Sequence, residues 1–463
     1  MAFREGFSRV TRRVQERIET LPGLSTLVEE IGRRAVDTGT SVLSQILLRV
    51  EASRRGAVLE GFKRQYGMSG SDLALAEYPT GLDMADVSMV DQSSPVELTT
   101  RRPEAYNTKV TVRAGNEDHT FGMPIMNAAM ASIGGAEFTI AMQRAGGMPL
   151  LHRMWLKPED FSKTEEQKNE LSLQRQIAAY RQCKENGVEP FVAVPVNVEW
   201  VDAVVAEGAK MLVIDTLKMS TAQVMDVIRH TKERHPDVWI CAGNTVSPKE
   251  AWQFALAGAD AIKVGIGPGA VCTTYETTGH GSSQWTATAL VAGMLKDGKN
   301  AKILRQKVGR VPMVIADGGI KNTGDVGKLI GAGADVVMIG TRLAGTDECG
   351  LQPHVKEVVD RETGATKEEK WFDHWGQAST QATGRGMDGK VAVEGVPTKV
   401  PARGPLADVL RGWLNGMCAS FAVTGATSIK DMQDKARFIR ATTHAIETGK
   451  PLAKVAHDNG ARH

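Results

Sequence analysis

Residues 311–341, VPMVIADGGIKNTGDVGKLIGAGADVVMIGT, hold a complete strand, loop, helix and strand in 31 positions. The apolar run Val311 to Asp317 stops at a polar residue and two glycines. A helical pattern over Thr323 to Gly333 closes in a Gly-Ala-Asp turn, and a second apolar run covers Val336 to Gly340. Short runs that are apolar on both faces, separated by helices, are the mark of parallel strands buried between layers.

The same alternation extends in both directions from about residue 120. Apolar runs occupy Met123 to Met130, Gly147 to His152, Phe191 to Val196, Met211 to Asp215, Val238 to Gly243 and Ala261 to Gly267, and with the two above they make eight. Helical patterns over Ala203 to Gly208, Thr221 to Arg234 and Pro248 to Gly258 lie between them. A doubly wound sheet competes with a closed barrel for such a chain. Eight repeats, with the chemistry-bearing residues placed after strand C-termini, favour α/β closure as a TIM (β/α)8 barrel, whose active site gathers at that rim.

The candidates at that rim are Asp215 after strand four, Gly243 and Asn244 after strand five, and Cys272 after strand six. Asp317, Gly318 and Gly319 follow strand seven, and Gly340 and Thr341 follow strand eight. Any one of these residue types is common in turns for conformational reasons, so the set carries the argument. The strand-seven and strand-eight loops offer bare backbone N–H groups near helix starts, the usual place for a phosphate in such barrels.

Cys272 stands apart from Cys183, Cys241, Cys349 and Cys418, which read as small buried hydrophobes. It lies in the loop KVGIGPGAVCTTYETTGHG, residues 263–281, where Gly265, Gly267 and Gly269 allow tight turns and Thr273 and Thr274 set hydroxyls nearby. A thiol beside oriented backbone N–H groups is favoured toward its reactive thiolate, so Cys272 is the expected nucleophile.

Composition narrows the class. The chain has 463 residues, 42% hydrophobic and 24% charged, with a net charge of +2. That balance gives no reason to expect nucleic acid, and no apolar run approaches the roughly 20 residues of a membrane span. Five cysteines without CxxC pairs argue against a disulfide framework or zinc site. With no secretory signal at the start of the chain, the expected location is cytoplasmic.

The Cys272 loop, Ala316 to Ile320 with Gly324 and Asp325, Leu343 to Glu348, and Glu394-Gly395 with Gly404-Pro405 together resemble the IMP dehydrogenase and GMP reductase family. The resemblance runs from about Asp86 to Thr442. It implies a Cys272 thiolate attacking C2 of a purine nucleoside monophosphate to form a thioimidate, with Thr274 and Glu394 handling the proton of the leaving group. It further implies nucleotide contacts at Asp317, Gly318, Gly319, Gly340, Thr341, Gly376, Gln377 and Ala378. Nicotinamide contacts would come from Arg153, Asp215, Thr216, Asn244, Ile266 and Gly267. Backbone carbonyls of Gly267, Gly269 and Cys272 would hold K+, and four barrels would form a homotetramer.

Within the family, residues 371–400 form a flap. Dehydrogenases resembling this chain carry an Arg-Tyr pair there to activate water, whereas the last tyrosine here is Tyr275. The span from Gly376 to Glu394 is short, as in reductases, and the interval from His152 to Phe191 leaves no room for a CBS insert. These features point to the GMP reductase branch, with NADPH as cofactor and GMP converted to IMP. The alternatives are NAD-dependent oxidation of IMP to XMP, action on a modified purine nucleotide, and a regulator that binds nucleotide without catalysis. The modified-nucleotide reading rests on departures from the family pattern: Ala270 for serine, Trp375 for tyrosine, Gly376-Gln377-Ala378 for Gly-Met-Ser, Val391 for arginine, Met130-Ala131-Ser132 for Met-Asp-Thr and Arg153 for lysine.

Residues 1–84 read as an amphipathic helical extension, with Phe7, Val10, Val14 and Ile18 on one stripe and a second helix over Val42 to Phe62. The barrel spans residues 85–430. Residues 431–463 read as a closing helix, Asp431 to Thr448, and a polar tail.

Overall fold

The computed structural model describes residues 81–90, 102–216, 221–359, 366–384 and 394–441. The helices expected before residue 81 and the tail from Lys450 lie outside these residues, as does Val391.

All eight apolar runs form strands of one parallel sheet: β1 Ile125–Asn127, β2 Leu150–Leu151, β3 Phe191–Val194, β4 Met211–Ile214, β5 Trp239–Thr245, β6 Ala261–Val264, β7 Met313–Asp317 and β8 Val336–Ile339. Successive strands pair in order from β2 to β8, and β8 pairs with β1 in the register Met338↔Met126. A parallel bridge between Met126 and Met148 joins β1 to the start of β2, with Met148 N–H donating to Ile125 O at 2.8 Å. The sheet therefore closes on itself as a TIM barrel.

Strand periodicity divides the core. Phe191 and Ala193 of β3, and Met211 and Val213 of β4, point into the barrel, while Val192, Val194, Leu212 and Ile214 point outward against the helices. The lower end of the barrel is plugged by the hairpin Val110–Ala114 and Glu117–Phe121, whose Phe121 packs on Phe191 at 5.5 Å between ring centroids, with Trp239 on the other side of Phe191 at 5.2 Å. Chemistry is thereby confined to the opposite rim.

The crossover helices are α1 Ala136–Arg144, α2 Glu165–Glu185, α3 Val198–Ala206, α4 Thr221–Arg234, α5 Pro248–Ala257, α6 Gln284–Lys296, α7 Thr323–Gly331 and α8 Leu406–Thr424. α3 begins five residues ahead of the expected Ala203 because Asn197 caps it, its Oδ1 accepting from Trp200 N–H at 2.6 Å. α5 runs from the Ser247 cap to Gly258, whose φ of +107° ends the helix in the left-handed conformation that glycine adopts without strain. No helix among the described residues is long and apolar enough to cross a membrane.

The closing helix differs from expectation. It covers Ile429–Lys435 and stops, and Phe438–Arg440 is instead a strand paired antiparallel with Val87–Met89. Phe438 is fully buried and meets Trp285 edge-on at 5.1 Å. That apolar anchor and a distant strand partner override a helical pattern, and neither was visible locally. A further element absent from the sequence reading is the antiparallel sheet His354–Val359, Thr366–Trp375 and Pro397–Pro401, which carries the flap.

Replacing Phe438 with alanine should lower unfolding free energy by about 3–5 kcal/mol in urea titration. A loss under about 1 kcal/mol would show that the Trp285 contact does not anchor the chain end.

Candidate active site

β6 delivers Cys272 to the rim through a loop that hugs the end of β7. Gly265 has a φ of +144°, and a Cβ at that position would lie 2.2 Å from the Asp317 carbonyl oxygen, so no side chain fits. Gly318 and Gly319, both in positive φ, pack under Pro268 of the same loop. The loop after β7 and the cysteine loop thus share one wall.

Cys272 is half-buried, unlike the other four cysteines, which are buried free thiols. Burial pushes Cys183 and Cys241 up to about 12 and Cys418 up to about 11, so these sulfurs stay protonated and inert. The Cys272 thiol donates to Thr274 Oγ1 at 3.1 Å, and the Thr274 hydroxyl donates to Glu394 Oε2 at 2.6 Å. Glu394 is 120 residues away in sequence. It arrives because Gly395 pairs with Cys272 in an isolated antiparallel bridge and Val396 N–H donates to Val271 O at 3.0 Å. Gly376 permits the same closeness from the other side, since a Cβ there would meet Val271 O at 2.9 Å. Sulfur, hydroxyl and carboxylate form a continuous path for a proton beside the nucleophile.

A second cluster fills the centre of the rim. Lys263 of β6 is buried, and its Nζ lies 3.5 Å from both Asp215 Oδ1 and Asp317 Oδ2. Burial alone would push its pKa down, but the Asp317 and Asp215 carboxylates together outweigh it and raise it, keeping the lysine charged. Asn244 Nδ2 donates to Asp317 Oδ2 at 2.8 Å and to Gly265 O at 2.7 Å. Arg153 Nε donates to the Asp215 carbonyl at 2.8 Å and to its Oδ2 at 3.2 Å, and Gln377 Nε2 reaches the same Oδ2 at 2.6 Å. Gln377, expected near the nucleotide, and Asp215, expected near the cofactor, are therefore in direct contact.

The remaining expected residues border these clusters. Thr216 precedes residues 217–220, which lie outside the described set. Ile266 O accepts from Ser282 N–H at 3.3 Å, Gly269 O accepts from Cys272 N–H at 3.0 Å, and Ala270 is exposed. Gly340 and Thr341 follow β8, and Ala378 follows Gln377 after the strand Thr366–Trp375.

Two residues escaped the sequence reading. Lys263 announces itself as a lone charge inside an apolar barrel strand. His374 is fully buried, with Nε2 3.1 Å from Thr341 Oγ1 and Nδ1 2.8 Å from Ser132 Oγ. Burial, helped by Arg403, drops its pKa to about 4, so it is neutral and one ring nitrogen donates while the other accepts. It ties the flap strand to the loops after β1 and β8.

The comparisons with known proteins agree with this geometry. Residues 81–451 match the family model described as the IMP dehydrogenase / GMP reductase domain. The chain belongs to the IMP dehydrogenase / GMP reductase family. Similar relatives are inosine-5'-monophosphate dehydrogenases. That of Pasteurella multocida is 35% identical over 258 residues, 55% of this chain and 50% of that protein. That of Escherichia coli K12 is 34% identical over 256 residues, 54% and 49%. That of Borreliella burgdorferi is 27% identical over 418 residues, 80% and 96%. The chain spans about half the length of the first two relatives. These family relatives carry the dehydrogenase name, whereas the flap wording had pointed to the reductase branch.

Two buried histidines give the fold a pH dependence. Burial, with Arg153 in support, takes His152 from 6.5 to about 3, and burial with Arg403 takes His374 from 6.5 to about 4. Both bind a proton on unfolding, so their stabilisation is complete above pH 6.5 and fades as pH falls toward 4. Unfolding free energy should drop by about 2 kcal/mol per histidine between pH 7.5 and 5, and His374→Gln should make that slope shallower. An unchanged slope would show that His374 takes up no proton on unfolding.

Proposed function

We propose that the chain is an oxidoreductase acting at C2 of a purine nucleoside monophosphate through a covalent Cys272 adduct. The observation that carries this reading is the path from Cys272 Sγ through Thr274 Oγ1 to Glu394 Oε2, at 3.1 and 2.6 Å. The Gly318-Gly319 and Gly340-Thr341 loops would anchor the 5'-phosphate, placing the ring over the sulfur.

The first reading is oxidation of IMP with NAD, which the dehydrogenase names of the relatives support. The Cys272 thiolate adds to C2, a hydride departs from C2 and leaves a thioimidate, and water then displaces the thiol to give XMP. The proton taken from that water passes through Thr274 to Glu394. A nicotinamide cofactor, when bound, supplies the two-electron acceptor or donor. Arg153, Asp215, Thr216, Asn244, Ile266 and Gly267 would border it, with Asp215 sharing its oxygens among Arg153, Gln377 and Lys263.

The second reading, reduction of GMP with NADPH, is favoured by the tyrosine-free sequence of residues 371–400. It passes through the same thioimidate: the thiolate adds to C2 of GMP, ammonia leaves with a proton relayed from Glu394 through Thr274, and hydride returns to C2 as the thiol departs. Backbone carbonyls of Gly267, Gly269 and Cys272 suit a hard cation such as K+, though Gly269 O already accepts the Cys272 N–H. A homotetramer is the expected assembly, checked by mass in solution.

The test is a panel pairing IMP with NAD and GMP with NADPH, following hydride direction and ammonia release. Turnover with one pair assigns the branch, and none with either sinks the purine monophosphate reading. Cys272→Ser should lower kcat by about 10³ or more. Glu394→Gln should lower it about 10²–10⁴-fold, with KM little changed, and full activity in that variant would remove Glu394 from proton transfer.

A further inference from the structure

Outside the active site, on the outer wall of the barrel, Asp202 of α3 faces His230 of α4 and His235 just beyond it. Both imidazoles present Nε2 to one carboxylate oxygen: His230 Nε2 lies 2.8 Å and His235 Nε2 2.7 Å from Asp202 Oδ1. The three ligand atoms lie within 4.8 Å of one another, the one such group of His, Cys, Asp and Glu side chains among the described residues. The side chains are partly sheltered, at 34% exposure for Asp202, 21% for His230 and 22% for His235, which leaves an open side toward solvent. The turn that presents His235 is set by the backbone, with His235 N–H donating to Thr231 O at 2.8 Å and Val238 N–H to His235 O at 3.0 Å.

We propose that Asp202, His230 and His235 form a site for one divalent transition-metal ion of the zinc class, which fastens α3 to α4. The donor set, two imidazoles and one carboxylate, is the borderline type that selects zinc or cobalt over calcium or magnesium. Without metal, each imidazole holds its proton on Nε2 and donates to Oδ1. With metal, the Nε2 lone pairs bind and the ring proton of each histidine sits on Nδ1. Tetrahedral bonds of about 2.0–2.1 Å set ligand atoms about 3.3 Å apart, so each Nε2–Oδ1 separation, now 2.8 and 2.7 Å, needs to widen by about half an ångström, within reach of side-chain rotation. Water completes the fourth position.

Arg234, the neighbouring cation, has its Nε 3.8 Å from the other oxygen, Asp202 Oδ2, and its side chain is 65% exposed, free to swing away. The site stands on α3 and α4, away from Cys272, and does not depend on the proposed activity.

The experiment uses the untagged full-length chain, stripped of metal, with Cys272→Ser to remove the rim thiol as a competing ligand. Titration with Zn²⁺ by calorimetry and with Co²⁺ by visible absorption should give one ion per chain, tetrahedral cobalt bands and a raised melting temperature. The double variant His230→Gln with His235→Gln should lose saturable binding. Asp202→Asn, which keeps hydrogen-bonding capacity, should weaken zinc binding at least tenfold. Nucleotide turnover, measured with Cys272 restored in the double variant, should be unchanged and so report an intact fold. Absence of saturable binding, or one-ion binding that survives the double variant, would overturn the proposal.

Discussion

The rim of this barrel is organised by a buried charge that two carboxylates must share. Lys263 enters from the middle of β6, where neighbouring side chains are apolar, and meets Asp215 just beyond β4 and Asp317 at the end of the adjacent β7. An ammonium group out of water carries a desolvation cost that only close, well-placed partners offset, and the same holds for each carboxylate. The three groups therefore keep β4, β6 and β7 ends at a set separation. Asn244, Arg153 and Gln377 use the remaining hydrogen-bonding capacity of the two aspartates. A rim built this way is polar and largely satisfied, which suits the nucleotide-orienting role proposed for it.

The flap depends on that rim for its position. Gln377 ties it to Asp215, and His374 ties the strand before it to Thr341 and Ser132. The backbone pairing of Gly395 with Cys272 then places Glu394 against Thr274. Three separate contacts hold the segment, so the catalytic carboxylate of the proposed reaction sits on an element braced at both ends. The two proposed reaction directions would use the same sulfur and the same hydroxyl. They differ in what the Thr274–Glu394 pair serves, an attacking water or a departing amine.

The fold was legible because it rests on local signals. Strands such as Met211–Ile214 and Val336–Ile339 are continuous apolar runs, and α5 carries its own cap, Ser247, and terminator, Gly258. The half-buried setting of Cys272 was legible too, since glycines around it mark a loop that cannot bury a thiol well. Where reading failed, the deciding partner lay far away. Phe438–Arg440 looked helical until Val87–Met89 and Trp285 supplied a strand edge and an apolar pocket. His374 carried no local signal, and only the contacts with Ser132 and Thr341 single it out.

By itself, then, the order of residues determined the eight-fold alternation, the ends of α5 and the half-buried setting of Cys272, because backbone propensity and apolar period act over a few neighbouring positions. Tertiary structure decided which polar groups face one another: Lys263 between two aspartates, Gln377 on Asp215, Glu394 on Thr274. Those pairings join residues dozens to more than a hundred positions apart. They follow from barrel closure, which brings strand ends together with a stagger that no short window of sequence encodes.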